Sequence, residues 1–128
     1  MNSADQCFPK NRRLLKHADF ERVYKQGKRH FASHMTVFYL RREGEPGAGN
    51  LRIGFTVGKA LGGAVQRNRM KRRLREAVRL AGLGPKIGAD VVINPKRSLL
   101  IAEFSAVQAE IAVAFQAIER SLSKSKRS

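Results

Sequence analysis

Residues 51–80 read "LRIGFTVGKALGGAVQRNRMKRRLREAVRL", which predicts a strand, a glycine-rich connection and a basic helix in succession. In the strand, apolar residues alternate with polar or small ones, which is typical of a strand with one buried face. That face carries Leu51, Ile53, Phe55 and Val57. The helix is predicted over about Ala64 to Leu80, and the following "GLGP" ends it. The rest of the chain has to bury the apolar faces of this strand and helix.

The predicted helix is amphipathic when its residues are placed about 100° apart. One arc is apolar and is predicted to pack on the sheet: Met70, Leu74, Ala77, Val78 and Ala81. The opposite side is polar and basic, with Asn68, Arg72, Arg75 and Arg79 at its centre, Arg67 and Lys71 at one edge, and Arg69 and Arg73 at the other. Only Glu76 interrupts the positive charge. Because like charges four residues apart destabilise a helix by roughly a few tenths of a kcal/mol per pair, this side is predicted to bind a polyanion.

The residue types on this side of the helix favour a nucleic acid over a lipid surface. A guanidinium group is planar and can hold a phosphate with two donors, whereas lysine would serve equally well at a membrane. Asn68 can both donate and accept hydrogen bonds. The glycine-rich connection leaves the first N–H groups of the helix available to a phosphate. The alternative is a solvated surface helix, although solvated faces usually mix charges of both signs.

The composition predicts one folded and strongly basic domain. The chain has 128 residues, of which 42% are hydrophobic, and its 26 Lys and Arg residues against 10 Asp and Glu residues give a net charge of +16. The resulting field attracts nucleic acid or an anionic membrane surface. The apolar runs are short, the first 13 residues contain no apolar signal core, and Cys7 is the single cysteine. A cytoplasmic protein without a membrane partner is therefore expected.

Periodicity and turn residues predict the other elements. "HADFERVYKQG" predicts a short helix ended by Gly27, and "HFASHMTVFYLRR" predicts a strand, with a further short strand near Lys28 to Phe31. "EGEPGAGN" predicts a turn and "ADVVIN" a short buried strand. "FSAVQAEIAVAFQAIERSL" predicts a helix whose apolar stripe is formed by Val107, Ile111, Phe115, Ile118 and Leu122. The expected organisation is a basic extended N-terminal segment at 1–13, a single RNA-binding domain at 14–122 and a disordered basic tail at 123–128.

The patterns of known catalytic and metal sites are incomplete in this sequence. In "GFTVGKA" three residues separate the glycines and Ala60 follows Lys59, whereas a phosphate-binding loop needs four residues and then Ser or Thr after the lysine. His30 and His34 have no acidic or cysteine partner nearby, which argues against a zinc site. The acidic residues are scattered, whereas a two-metal nuclease needs clustered carboxylates. The polypeptide is therefore predicted to bind nucleic acid without cutting it.

Three aromatic residues have two possible roles. Phe20 and Tyr24 lie one turn apart on the predicted first helix, and Phe38 lies in the following strand. All three could pack in the core. They could instead form a platform on which unpaired bases stack, since every base has a face that an aromatic ring can cover.

Several blocks of this sequence resemble the family of bacterial ribonuclease P protein subunits. "AVQRNRMKRRLREAVR" is similar to the arginine-asparagine-arginine signature of that family. "RRLLKHADFERVYKQG" resembles its N-terminal block, "LRIGFTVGKALGGAVQRNR" its central block, and "GADVVI" the strand that follows. The resemblance extends from about Arg12 to Leu122.

This resemblance implies a function and a set of binding residues. Members of the family join a catalytic RNA in a holoenzyme, expected here to contain one protein and one RNA, that removes the 5′ leader from precursor tRNA. The Mg²⁺ ions of the active site are held by the RNA. By the resemblance, the residues that contact the RNA subunit are Lys59, Arg67, Asn68, Arg69, Lys71, Arg72 and Arg75. The single-stranded leader would lie in a cleft between the first helix and the sheet, against Arg13, Phe20, Tyr24 and Phe38.

The resemblance also implies an α+β fold. It is a two-layer α/β sandwich like ribosomal S5 domain 2, with about four strands and a left-handed strand–helix–strand crossover, against the usual right-handed rule. Two stretches depart from the family. Lys59-Ala60 stands where many members have two lysines, and "NPKR", residues 94–97, stands where many have an arginine-containing stretch, so no role is assigned to it.

Two other functions are compatible with a basic, folded chain. A ribosomal protein or another structural RNA-binding module would have the same composition, and only the helix signature and the aromatic cleft favour the ribonuclease P subunit. A sequence-specific DNA-binding protein would insert the basic helix into the major groove. That alternative is disfavoured because the basic helix is a single one, with no second helix or dimer seam that would set the spacing of half-sites.

Overall fold

A four-stranded mixed sheet forms the centre of the protein in the computed structural model, which describes residues 17–42, 51–82 and 87–127, with side chains through residue 122. Its strands are β1 (Lys28–Phe31), β2 (Met35–Arg41), β3 (Leu51–Phe55) and β4 (Ala89–Pro95). Their order in the sheet is β1-β2-β4-β3. β2 pairs antiparallel with β1 and β4, whereas β3 and β4 are parallel.

In the described ranges, three α-helices pack around this sheet: α1 (His17–Gln26), α2 (Ala64–Leu80) and α3 (Phe104–Arg127). Two short 3₁₀ helices in the same ranges follow the parallel strands, η1 (Lys59–Leu61) after β3 and η2 (Arg97–Leu100) after β4. Because α2 connects the parallel strands β3 and β4, the chain contains the strand–helix–strand crossover that the resemblance implies. The hand of that crossover stays a prediction.

The main core lies between one face of the sheet and the two long helices. Residues alternate along β2, so that Met35, Val37 and Tyr39 point into this core, and Val37 pairs with Ile93 of β4. The predicted apolar arc of α2 is confirmed, since Met70, Leu74, Ala77 and Val78 are fully buried and Ala81 packs at its margin. The predicted stripe of α3 is confirmed as well, since all five of its residues are buried. Sheet and long helices together form an α+β sandwich.

The short helix α1 packs on the other face of the sheet. Val23 of α1 and Val92 of β4 are fully buried there, and Phe20, Phe38 and Leu40 pack around them. Gly27 ends the helix as predicted and donates its N–H to the carbonyl oxygen of Val23 at 2.8 Å. A side chain at this position would come within 2.6 Å of a carbonyl oxygen of β2, so only glycine lets α1 turn this tightly into β1.

A buried carboxylate fixes α1 to the sheet. Asp90 of β4 is fully buried and accepts hydrogen bonds from Arg22 of α1 at 2.7 Å, from Arg42 at 2.9 Å and from Arg52 of β3 at 2.9 and 3.0 Å. Burial raises the pKa of Asp90, but the hydrogen bonds from Arg52 and Arg42 outweigh it and hold the pKa below its ordinary value. Asp19 of α1 adds a second carboxylate, which pairs with Arg22 at 3.2 Å and with Arg52 at 3.5 Å. Three arginines are thus held by the protein's own carboxylates.

The structure differs from the sequence predictions at two element ends. α3 continues to Arg127, into the range 123–128 that was predicted to be a disordered tail. The sequence "SKSKR" contains no glycine or proline to stop the helix. β3 ends at Phe55, two residues before the predicted Val57.

Some predictions fall outside the described residues. These are the extended segment 1–13, which includes Arg13, the turn "EGEPGAGN" at residues 43–50, and the part of "GLGP" that follows Gly82. Within the described part of the chain, every helix is too short or too polar to cross a membrane.

Candidate RNA interface

The outward side of α2 is almost entirely basic, because burial of the apolar arc directs the remaining side chains away from the core. Asn68, Arg69 and Arg72 are exposed, and Arg67, Lys71 and Arg75 are partly exposed. We refer to these six residues as the basic face. Lys59 of η1 is exposed just before α2 begins.

The charge of the basic face is not neutralised within the described part of the chain. There, no carboxylate forms an ion pair with Arg69, Lys71, Arg72 or Arg75. Glu76, the single acidic residue of α2, pairs instead with Arg79, whose hydrogen bond lowers the pKa of Glu76. Several cations therefore lie side by side on a rigid helix, which favours the binding of a polyanion.

Arg73 differs from its neighbours because it stabilises the protein itself. Its guanidinium donates hydrogen bonds to the carbonyl oxygens of Leu99, Leu100 and Ala102, and so ties η2 to α2. In the sequence, Arg73 looked like a flank of the positive side. Arg73 directly precedes Leu74 and lies three residues after Met70, so it borders the apolar arc of α2. This position is the one sequence signal that its side chain could reach the protein's own backbone.

The three aromatic residues come together on the sheet face that carries α1. Tyr24 and Phe38 contact edge to face, with ring centroids 4.9 Å apart and planes at 89°. Phe20 and Phe38 are partly buried against Val23 and Val92, so both contribute to packing, whereas Tyr24 is 37% exposed. We refer to this region between α1 and the sheet as the aromatic cleft.

Polar groups that the sequence did not reveal complete the aromatic cleft. The Tyr24 hydroxyl forms a hydrogen bond with Oγ1 of Thr56 at 2.7 Å and donates to Oδ1 of Asn94 at 3.0 Å. The Arg29 guanidinium lies 5.8 Å from the centroid of the Phe38 ring. Asn94 belongs to the stretch without an assigned role. Strand register alone links Arg29 to Phe38 and brings Asn94 to this face, and a single sequence does not specify register.

The aromatic cleft and the basic face meet at one edge of the sheet. β3 and β4 are parallel, so their carboxyl ends lie together. Thr56 directly follows β3 there, and Asn94 is the residue before the end of β4. η1, with Lys59, continues from β3 at the same edge and leads into α2. A single surface therefore runs from Tyr24 over this edge to the basic face. Of the predicted site residues, Tyr24, through its hydrogen bond to Thr56, and Lys59 lie at this edge, whereas Arg13 lies outside the described residues.

This surface offers hydrogen-bond donors, cations and an aromatic ring. Among the described residues, no three His, Cys, Asp or Glu side chains form a group that could hold a metal ion. Its chemistry suits the binding of single-stranded and structured RNA, in which phosphates meet arginine and unpaired bases meet aromatic rings.

Comparisons with known proteins agree with this chemistry. The family model described as Ribonuclease P matches residues 8–119. The ribonuclease P protein component of Oleidesulfovibrio alaskensis is 44% identical over 87 residues, which cover 68% of each chain. That of a Geobacter species is 36% identical over 108 residues, covering 84% of this chain and 89% of the relative.

Solved structures share the fold. The ribonuclease P protein of Thermotoga maritima superimposes with a TM-score of 0.70 at 28% identity, covering 82% of this chain and 96% of that one. The Staphylococcus aureus protein, at 24% identity, has the same fold with a TM-score of 0.71 and coverage of 84% and 94%. With the family match over most of its length, this chain belongs to the bacterial ribonuclease P protein family, whose members are protein components of a tRNA-processing ribonucleoprotein.

Proposed function

We propose that this protein binds the catalytic RNA of ribonuclease P through the basic face and the 5′ leader of precursor tRNA through the aromatic cleft. It thereby assists the endonucleolytic removal of the leader, which gives the mature 5′ end of the tRNA. One observation carries this proposal: an unneutralised basic helix and a cleft with an exposed aromatic ring share one edge of the sheet. The two surfaces can therefore engage two RNA segments that lie next to each other.

The basic face suits a folded RNA subunit. Arg67, Arg69, Lys71, Arg72 and Arg75 extend over about two turns of α2, a length that follows several successive phosphates. Asn68, exposed among them, can donate and accept hydrogen bonds at a base or a ribose. The internal bonds of Arg73 keep the helix in one position while it binds.

The aromatic cleft suits a single strand, because stacking on an aromatic ring accepts any base and leaders differ in sequence. The two hydrogen bonds of its hydroxyl hold the Tyr24 ring in place, so little side-chain freedom is lost when a base stacks on it. Arg29, exposed beside Phe38, can bind a leader phosphate. Arg13 is proposed as a further leader contact on the resemblance alone.

Catalysis is proposed to reside in the RNA subunit, which would hold the Mg²⁺ ions. The described residues of this chain offer no cluster of metal ligands, so we assign no step to a metal bound by the protein. A holoenzyme of one protein and one RNA in the cytoplasm is proposed, since one basic face serves one RNA.

The proposal is tested by identifying the RNA that the protein binds in its own cells. The protein is purified with its bound RNA, and the RNA is sequenced. One abundant RNA of a few hundred nucleotides that cleaves precursor tRNA with this protein supports the proposal. Ribosomal RNA in its place would identify a structural RNA-binding module instead. As a control, nuclease-treated protein alone should not cleave precursor tRNA in Mg²⁺.

A further inference from the structure

Two exposed cations that are distant in sequence lie together at the edge where the cleft and the basic face meet. Arg97, the first residue of η2, donates a hydrogen bond from Nη2 to the carbonyl oxygen of Ala60 at 2.7 Å. Ala60 is the central residue of η1 and follows Lys59 directly. The guanidinium of Arg97 therefore lies over η1, beside the lysine that precedes α2.

The backbone around Arg97 is held from several sides. The N–H of Lys96 donates to the carbonyl oxygen of His34 at 2.8 Å, and the side chain of Ser98 forms a hydrogen bond with Nδ1 of His34 at 2.7 Å. Arg73 binds the carbonyl oxygens at the end of η2. Arg97 thus projects from an anchored segment, and its guanidinium occupies a defined position.

The position of Arg97 is not explained by the protein's own stability. Its hydrogen bond to Ala60 uses one of the five N–H donors of a guanidinium, and the residue is exposed. Among the described residues, no carboxylate pairs with Arg97 or with Lys59. A guanidinium that is fixed on the backbone next to an exposed lysine and still has free donors is suited to a phosphate, which it can hold with two hydrogen bonds.

We infer that Arg97, together with Lys59, binds a phosphate of the RNA and so extends the RNA interface from α2 to η2. This inference rests on the proposed function and adds a residue to it. Arg97, the last residue of "NPKR", thereby acquires a role. Its guanidinium supplies a second positive charge at η1, where Ala60 follows Lys59 in place of a second lysine. Sequence spacing hides the arrangement, because Arg97 and Ala60 are 37 residues apart.

Two substitutions test the inference: Arg97→Ala removes the charge, and Ala60→Lys on that background restores a positive charge on η1. Binding of the full chain to the RNA of its own ribonuclease P is measured as a function of salt concentration. Arg97→Ala should weaken binding roughly three- to tenfold, between the effect of an exposed ion pair and that of a charge-assisted hydrogen bond. The slope of log K against log salt should fall by about 0.7–0.9, the loss of one phosphate contact.

The rescue variant separates a phosphate contact from a structural link. Ala60→Lys on the Arg97→Ala background places a cation at the same point but cannot rebuild the bond from Arg97, so recovery of affinity and slope supports the inference. Arg120→Ala is the matched control, because Arg120 is an exposed arginine next to Ser121, which contacts Lys28 away from this edge. It should leave binding almost unchanged.

Two outcomes would overturn the inference, and they differ in what else they affect. If Arg97→Ala binds as the wild type does at every salt concentration while Arg72→Ala binds weakly, then Arg97 only links η2 to η1 and the proposed function stands. If neither substitution weakens binding, the basic face itself does not bind this RNA and the proposed function fails as well. Thermal unfolding of each variant checks that the fold is retained.

Discussion

Asp90 shows at the scale of single residues how a strongly basic chain fixes part of its own charge. Its carboxylate is fully buried and receives hydrogen bonds from three arginines of three different segments. Arg52 binds both carboxylate oxygens, at 2.9 and 3.0 Å. These arginines therefore fix α1, the end of β2 and β3 to one buried carboxylate.

Asp90→Asn should destabilise the protein strongly. The substitution removes the buried anion that Arg22, Arg42 and Arg52 share and leaves only Asp19 beside Arg22 and Arg52. Removal of one member of a buried ion pair costs about 3–5 kcal/mol. The free energy of unfolding, measured by urea denaturation, should fall by that amount. A fall of less than about 1 kcal/mol would mean that the cluster contributes little to the attachment of α1.

The same carboxylate should make stability depend on pH in the acid range. The folded-state pKa of Asp90 lies below its ordinary value, so the ionised form stabilises the fold above the pKa of the unfolded chain. That stabilisation is lost as the pH falls through the lower, folded-state pKa. Wild-type protein should thus lose more unfolding free energy than Asp90→Asn between about pH 5 and the acid limit. Parallel curves for the two proteins would contradict this assignment.

At the scale of secondary-structure elements, α2 combines two kinds of arginine at neighbouring positions. Arg72 is exposed and unpaired by any described carboxylate, whereas Arg73 donates to the carbonyl oxygens of Leu99, Leu100 and Ala102. One residue of the helix is therefore available to a partner, whereas the next is bonded to the protein's own backbone. The two residues form a natural pair for comparison.

Arg72→Ala should impair RNA binding, whereas Arg73→Ala should impair the stability of the fold. Arg72→Ala should weaken binding to the RNA subunit and flatten its salt dependence, because fewer counterions are released, while unfolding free energy changes by less than about 0.5 kcal/mol. Arg73→Ala should lower the unfolding free energy by about 1–3 kcal/mol, because buried carbonyl groups lose their donors. Equal losses of stability in the two variants would show that Arg72 also faces the protein.

Periodicity predicted the α-helices and strands and the surfaces that depend on one element, but it missed η1 and η2 and the ends of β3 and α3. The apolar arc of α2, the stripe of α3 and the bounds of α2 all follow from side-chain spacing along one helix. The roles of Arg22 and Arg73 did not, because their partners lie 68 and up to 29 residues away. A helical projection places every arginine outside the apolar arc on the solvent side. Only the tertiary structure reveals that a carbonyl group or a carboxylate lies within hydrogen-bonding distance of a particular guanidinium.

At the scale of the whole molecule, the fold brings two surfaces to one edge that the sequence presents as separate. The aromatic cleft depends on α1 packing over β2 and β4, and the basic face depends on α2 crossing from β3 to β4 on the other side. Because β3 and β4 are parallel, their carboxyl ends bring Tyr24 and Asn94 near η1 and the start of α2. The resemblance implied both surfaces, and the sheet topology explains their proximity.

Leader-dependent affinity tests most directly whether the aromatic cleft binds the 5′ leader, as proposed. Holoenzyme reconstituted with wild-type protein, Tyr24→Ala or Tyr24→Phe is titrated with precursor tRNA and with mature tRNA that has no leader. Tyr24→Ala should weaken precursor binding by roughly 1–3 kcal/mol, the value of one stacked base, and leave mature tRNA unaffected. Tyr24→Phe, which keeps the ring and loses only the hydroxyl bonds to Thr56 and Asn94, should retain most of the preference for precursor. An equal loss for precursor and mature tRNA, in a variant that is still folded, would contradict the proposal.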